Sequence, residues 1–141
     1  MDNAGLLTTL EAILTFIWGG NAYFTLVSPT GTRFTYRVYV PKKMQGKGIY
    51  WVKVLTGPQN TSDYTYIGSV SQTNGYKFKA EHIGPEATSV KAIGWMFGKL
   101  LKHEGLGAVQ FWHEGRCGRC GRKLTVPESI QNGVGPECAK K

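Results

Sequence analysis

The chain has 141 residues, with 17 lysines and arginines against 9 aspartates and glutamates, so its formal charge is +8. This length is typical of one domain, and a hydrophobic content of 41% excludes a wholly disordered chain. No apolar run is long enough to span a bilayer, and the start at Asp2 lacks the basic residues of a secretory signal. The sequence therefore predicts a soluble, cytoplasmic protein that does not bind membranes.

Residues 1–20 predict a helix. Thr8 and Glu11 have the spacing of a capping box, in which a hydroxyl and a carboxylate each accept a hydrogen bond from a free backbone N–H. Apolar side chains then recur at helical spacing, at Leu10, Ile13, Leu14 and Ile17. The pair Gly19-Gly20 is expected to end this helix.

Between residues 21 and 80 the hydrophobic pattern changes to a period of two. β-Branched and aromatic residues predict five strands, over residues 22–27, 34–40, 49–55, 64–70 and 76–79. Short turns rich in Gly, Pro and Asn separate them, and the turn at 28–31 makes the first two strands a hairpin. Such short connections favour an antiparallel meander.

A second amphipathic helix is predicted over residues 88–104, covering one face of the sheet. The fold class is therefore α+β, an antiparallel sheet of about five strands flanked by helices. We expect an α+β domain over residues 1–107, with a zinc-binding C-terminal module over residues 108–141 packed on it.

The C-terminal module contains all three cysteines. Cys117 and Cys120 are three positions apart among glycines, so both thiolates can point at one ion in a zinc knuckle. Cys138 follows a Gly-Pro-Glu turn, and His113 ends an apolar strand close to the knuckle. Four ligands of this type satisfy tetrahedral Zn²⁺. The sequence thus predicts a structural Zn²⁺ bound by His113, Cys117, Cys120 and Cys138.

Other interpretations of this pattern stay open. His103, Glu114 or Glu137 could replace His113 as the fourth ligand. The cysteines could instead form a redox pair or be merely buried, although a redox pair normally opens a helix after a buried strand. A catalytic zinc would need an open position and a nearby general base, and no sequence pattern for one is present.

Residues 117–138, with the pattern CGRCGRxLTxPESIxxGxGPEC, resemble the cysteine motif of small bacteriophage and prophage proteins that are mostly uncharacterised. Residues 20–27 and 33–38 are similar to the part that precedes the motif in some of them. The resemblance implies a viral or mobile-element origin, hence the host cytoplasm as location, and metal binding through Cys117, Cys120 and Cys138. It implies no particular activity.

The basic residues are unevenly distributed. Six lie between residues 12 and 62, where no acidic residue occurs. Strand alternation separates Arg37 and Tyr39 from the apolar face of their strand, and a face of cations and rings suits single-stranded nucleic acid. The predicted binding residues are Arg33, Arg37, Tyr39, Lys42, Lys43, Lys53, Lys77, Lys79, Arg116, Arg119 and Arg122.

Two other functions are compatible with the sequence. The basic surface could bind an acidic host protein, such as a defence complex or a nucleic-acid enzyme, and inhibit it; it could also simply serve solubility. An enzyme is the weakest hypothesis, because Asn60, Asp63 and His82 show no nucleophile–base spacing. We therefore predict a non-enzymatic protein.

Overall fold

The computed structural model describes residues 5–59 and 62–113. In this part of the chain seven strands form one sheet, and two helices pack on it. The strands are β1 (Leu6–Leu7), β2 (Asn21–Val27), β3 (Arg33–Tyr39), β4 (Ile49–Leu55), β5 (Tyr64–Ser71), β6 (Gly75–Phe78) and β7 (Gln110–His113). The helices are α1 (Leu10–Ile17) and α2 (Thr88–Leu101).

The sheet has the order β1-β7-β2-β3-β4-β5-β6, and its neighbouring strands pair antiparallel. The predicted α+β class is confirmed, and the five predicted strands are the meander β2 to β6. The described part of the sheet is larger than expected, because β1 and β7 extend it beyond β2.

The extra strands place two short segments of the chain in the sheet. Residues 6–7 were included in the predicted N-terminal helix, but they pair with residues 111–112 of β7. Leu7 is 3% exposed in the core, and the backbone N–H of His113 donates to the carbonyl of Gly5 at 2.8 Å. Two residues are too few to show a strand period, so their pairing depends on a partner distant in sequence. β7, which the sequence placed in the C-terminal module, lies within the sheet.

The helix ends also differ from the prediction. Thr9, not Thr8, caps α1: its hydroxyl accepts from the N–H of Ala12 at 3.2 Å, so the predicted capping box with Glu11 does not form. α2 ends at Leu101 rather than at residue 104, and His103 beyond it has a left-handed φ of 55°. Within the described residues, neither helix is long and apolar enough to cross a bilayer.

Both helices pack on the same face of the sheet. The Phe16 ring of α1 contacts the Phe111 ring of β7 edge-on, with centroids 5.8 Å apart. The Tyr36 hydroxyl donates to the Ser89 carbonyl of α2 at 2.6 Å. Burial raises the pKa of Tyr36 far above its ordinary value, so this phenol remains a neutral donor at physiological pH.

Candidate nucleic-acid interface

The side chains that alternate with the core residues point away from both helices. In β3, for example, Tyr36 and Val38 are fully buried toward the helices, and Arg37 and Tyr39 lie on the other side. We call this side the distal face. Its aromatic and basic residues include Tyr23 of β2, Arg37 and Tyr39 of β3, Trp51 and Lys53 of β4, and Tyr64 and Tyr66 of β5.

The strand register arranges the distal face in two rows across the sheet. The first row runs Tyr23, Arg37, Lys53, Tyr66, so two cations lie directly opposite each other between two tyrosines. The second row runs Asn21, Tyr39, Trp51, Ser69, Lys77. Cations and rings are therefore neighbours both along the strands and across the sheet.

The cations lie against the rings. The Arg37 guanidinium carbon is 3.9 Å from the centroid of Tyr39 and 5.1 Å from that of Tyr23, while its Nε donates to the side-chain oxygen of Asn21 at 3.2 Å. The Lys53 ammonium lies 5.4 Å from the Tyr39 centroid. These cation–π contacts hold both charges next to one phenol ring.

The rings of three neighbouring strands also contact one another. Tyr39 and Trp51 have centroids 6.1 Å apart, and Trp51 and Tyr66 have centroids 5.4 Å apart, both in edge-on geometry. Burial is the main cause that raises the pKa of Tyr66, and the neighbouring Tyr39 raises it further. The phenol of Tyr66 therefore stays neutral at physiological pH and adds no negative charge to this face.

The positive charge of the distal face is not balanced by carboxylates in the described part of the chain. There, the ion pairs are Lys99 with Glu104, at 3.1 Å, and His82 with Glu81, at 4.0 Å. Like charges placed directly opposite on adjacent strands, as Arg37 and Lys53 are, destabilise a sheet by up to about 1 kcal/mol. A bound polyanion would remove this repulsion.

The other predicted basic residues of the described chain lie around this centre. Lys42 and Lys43 are exposed in a 3₁₀ turn after β3, and the Lys43 ammonium lies 5.1 Å from the Trp51 centroid. Arg33 is exposed at the start of β3, and Lys77 and Lys79 are exposed at β6 and just beyond it. Arg116, Arg119 and Arg122 lie outside the described residues.

Sequence reasoning did not select four aromatic residues of this face: Tyr23, Trp51, Tyr64 and Tyr66. The alternation in β4 could have placed Trp51 beside Lys53. Alternation alone could not have predicted that Tyr23 lies next to Tyr64. Their ring centroids are 5.8 Å apart, although two strands lie between β2 and β5 in the sheet.

Of the residues predicted to bind the metal, the structure describes His113 but none of the three cysteines. His113 ends β7 on the helix-facing side, opposite Phe24; it is 4% exposed, and its ring centroid is 5.8 Å from that of Phe16. Cys117, Cys120 and Cys138 lie outside the described residues, as do the alternatives Glu114 and Glu137. The described ranges contain no group of three or more His, Cys, Asp or Glu able to share an ion. Zinc binding therefore stays a prediction.

Asp63 and His82, two of the residues considered for an enzymatic role, have different neighbours. Asp63 shapes the β4–β5 turn, where its carboxylate accepts from the N–H of Gln59 at 2.9 Å. His82 is exposed near Glu81, and both border a shallow surface cavity of about 380 Å³ with Lys79 and Tyr66. Asn60 lies outside the described residues.

Comparison with known proteins gives one family match, described as a family of unknown function (DUF6011), over residues 110–141. The matched segment starts at the first residue of β7 and includes all three cysteines. The search of the curated proteins and the search of the solved structures gave no match. The match shows that the C-terminal segment is similar to a known family, and it brings no activity with it.

Proposed function

We propose that this protein is a phage-type, non-enzymatic, zinc-binding protein that binds single-stranded nucleic acid through the distal face, in the cytoplasm of a host cell. The observation that carries the proposal is the pairing of Arg37 with Lys53 across β3 and β4, both next to the Tyr39 ring and without a carboxylate partner in the described residues. Phosphates are the natural counter-charge for such a pair.

A single strand suits this surface better than a duplex. Unpaired bases can stack on Tyr39, Trp51 and Tyr66, which lie on three adjacent strands, while the phosphates approach Arg37 and Lys53. Duplex recognition commonly uses a helix or a β-ribbon inserted into a groove. The distal face instead offers a broad sheet surface of rings and cations.

The proposal is tested by fluorescence-anisotropy titration of labelled single-stranded DNA, single-stranded RNA and duplex DNA of about 16 nucleotides, the upper site size of small single-strand-binding folds. We expect a single strand to bind more tightly than the duplex. Affinity should fall steeply with salt, by about 0.7 log units per log unit of salt for each phosphate contact. Equal affinity for the duplex, or no binding at low salt, would contradict the proposal.

Tyr39 provides a matched pair of variants within this test. Tyr39→Ala removes a stacking ring and is expected to weaken single-strand binding by about 1–3 kcal/mol while leaving the number of phosphate contacts similar. Tyr39→Phe keeps the ring and should bind like the wild type. If both variants lose affinity equally, the hydroxyl rather than the ring is responsible, and stacking at Tyr39 is wrong.

Two observations support zinc binding. His113, Cys117, Cys120 and Cys138 have the types and spacing of zinc ligands. His113 is also the last residue of β7. Zn²⁺ would cross-link the C-terminal segment to the sheet and perform no chemistry. We expect one zinc ion per chain in freshly purified, reduced protein, measured by atomic emission. His113→Ala and Cys120→Ser should each lower this content.

His103→Ala is the control for the fourth ligand. His103 is exposed beyond α2, so its replacement should leave both the fold and the zinc content unchanged. Zinc loss in His103→Ala but not in His113→Ala would assign the ligand to His103. Metal-free wild-type protein would overturn the site as a whole.

A further inference from the structure

A cleft separate from the distal face lies between α2 and the end of the β2–β3 hairpin. Its volume is about 270 Å³. Leu26, Phe34 and Val109 form its apolar wall, and Trp95 and Ala92 of α2 face them. Hydroxyl side chains of the hairpin turn, including Thr30, complete the lining. The cleft thus combines an apolar interior with an uncharged polar edge, which is the pattern of a protein interface.

Trp95 is the large hydrophobic residue of α2 that this fold leaves exposed. Among the described residues it is the exposed large hydrophobic side chain, at 41%, whereas Ile93, Met96 and Phe97 next to it are fully buried. Exposed apolar groups scattered singly need no explanation, but this one borders an apolar cleft. Tryptophans in such positions are enriched among the residues that dominate binding energy.

The size of the cleft indicates what it holds. A cavity of about 150 Å³ holds a benzene molecule, and pockets for drug-sized ligands start at about 300 Å³. At about 270 Å³ the cleft fits one large apolar side chain rather than an extended cofactor. Its occupant is therefore best described as an anchor residue of a polypeptide.

The charges next to the cleft indicate the rest of the occupant. Lys91 precedes the lining residue Ala92 and is one helical turn from Trp95. Lys91 is exposed, and it forms no ion pair within the described ranges. Glu86, also exposed, is the acidic residue just before α2. The net charge of +8 also opposes association of two copies.

We infer that this cleft is a docking site for a partner protein, which inserts one large apolar side chain from an acidic segment. The apolar anchor contacts Trp95 and Phe34, and an acidic residue next to the anchor faces Lys91. This surface is separate from the nucleic-acid interface, so the inference does not depend on nucleic-acid binding.

The test is selection of a displayed library of random peptides on the full-length protein, followed by affinity measurements with the selected peptides made synthetically. We expect one large apolar residue flanked by Asp or Glu to be enriched. Trp95→Ala, or alanine in place of the peptide's anchor residue, should weaken binding about tenfold or more, as truncation of a dominant interface residue does. Lys91→Glu should weaken binding more strongly at low salt than at high salt.

Tyr39→Ala on the distal face is the control and should leave peptide affinity unchanged. Lys91→Glu alters an exposed position, so it remains informative if Trp95→Ala affects folding. Basic selected peptides, or binding that survives both Trp95→Ala and Lys91→Glu, would overturn the inference. A Trp95-dependent dimer in sedimentation velocity would also overturn it, because the occupant would then be a second copy of this chain.

Discussion

Replacing Gly68 by alanine is expected to lower the free energy of unfolding by about 3 kcal/mol or more. Gly68 is buried in β5 at a φ of +144°, a conformation that costs other residues about 1–3 kcal/mol. An added Cβ would also collide with the backbone carbonyl of Lys77 and lie 2.9 Å from the Tyr76 ring. Backbone cannot move aside as a flexible side chain can, so overpacking adds a cost of about 1–3 kcal/mol.

Gly98→Ala is the matched control, measured in the same urea titration. Gly98 is exposed in α2, and its added Cβ would meet no atom within 4 Å. Because alanine favours the helix over glycine, this variant should be more stable than the wild type by up to about 1 kcal/mol. An unchanged urea midpoint for Gly68→Ala would show that β5 and β6 do not pair as described.

The second large effect is expected for the double charge reversal Arg37→Glu with Lys53→Glu. At solvent dielectric each reversal replaces an attraction to phosphate of about 1 kcal/mol with a repulsion of similar size. Two reversals should therefore weaken single-strand binding by about 4 kcal/mol, or about a thousandfold, at low salt. The salt dependence should become shallower, because fewer counterions are released. Anisotropy titration over a salt series measures both effects.

Lys91→Glu with Lys102→Glu is the control, since it changes the net charge by the same amount at exposed positions in α2 and directly after it, on the other side of the sheet. It should weaken binding less than about fivefold, because charges beyond a Debye length of about 10 Å are largely screened. If the two double variants lose affinity equally, net charge rather than the distal face determines binding, and the proposed interface is wrong.

The distal face illustrates how far strand alternation can be used. In β3 the alternation is regular, so Arg37 and Tyr39 could be placed opposite the apolar face, and the structure confirms this. In β5 it misleads: a strict period of two puts Tyr64 and Tyr66 on the same face as the core residue Val70. A register shift opposite Val52 and Lys53 inserts Ile67 as an extra residue, which turns Tyr66 to the distal face.

The sequence by itself determined the elements whose signals are local. The five strands of the meander and the helix α2 each carry their own period over several residues, and turn residues separate them, so they could be predicted without knowledge of any partner. The types and spacing of His113, Cys117, Cys120 and Cys138 are equally local, and the zinc hypothesis depends on them alone.

Tertiary structure alone decided which of these residues meet. Pairing of β1 with β7 joins residues 6–7 to residues 111–112, a contact that no local pattern specifies. The pairing of β7 with β2 places the buried His113 opposite Phe24, on the helix-facing side. The row Tyr23, Arg37, Lys53, Tyr66 likewise depends on turn lengths and on the bulge in β5, which set the register between strands. Local periodicity determines on which face of the sheet a side chain lies. The register between strands determines which side chains on that face are neighbours, and the proposed function depends on those neighbours.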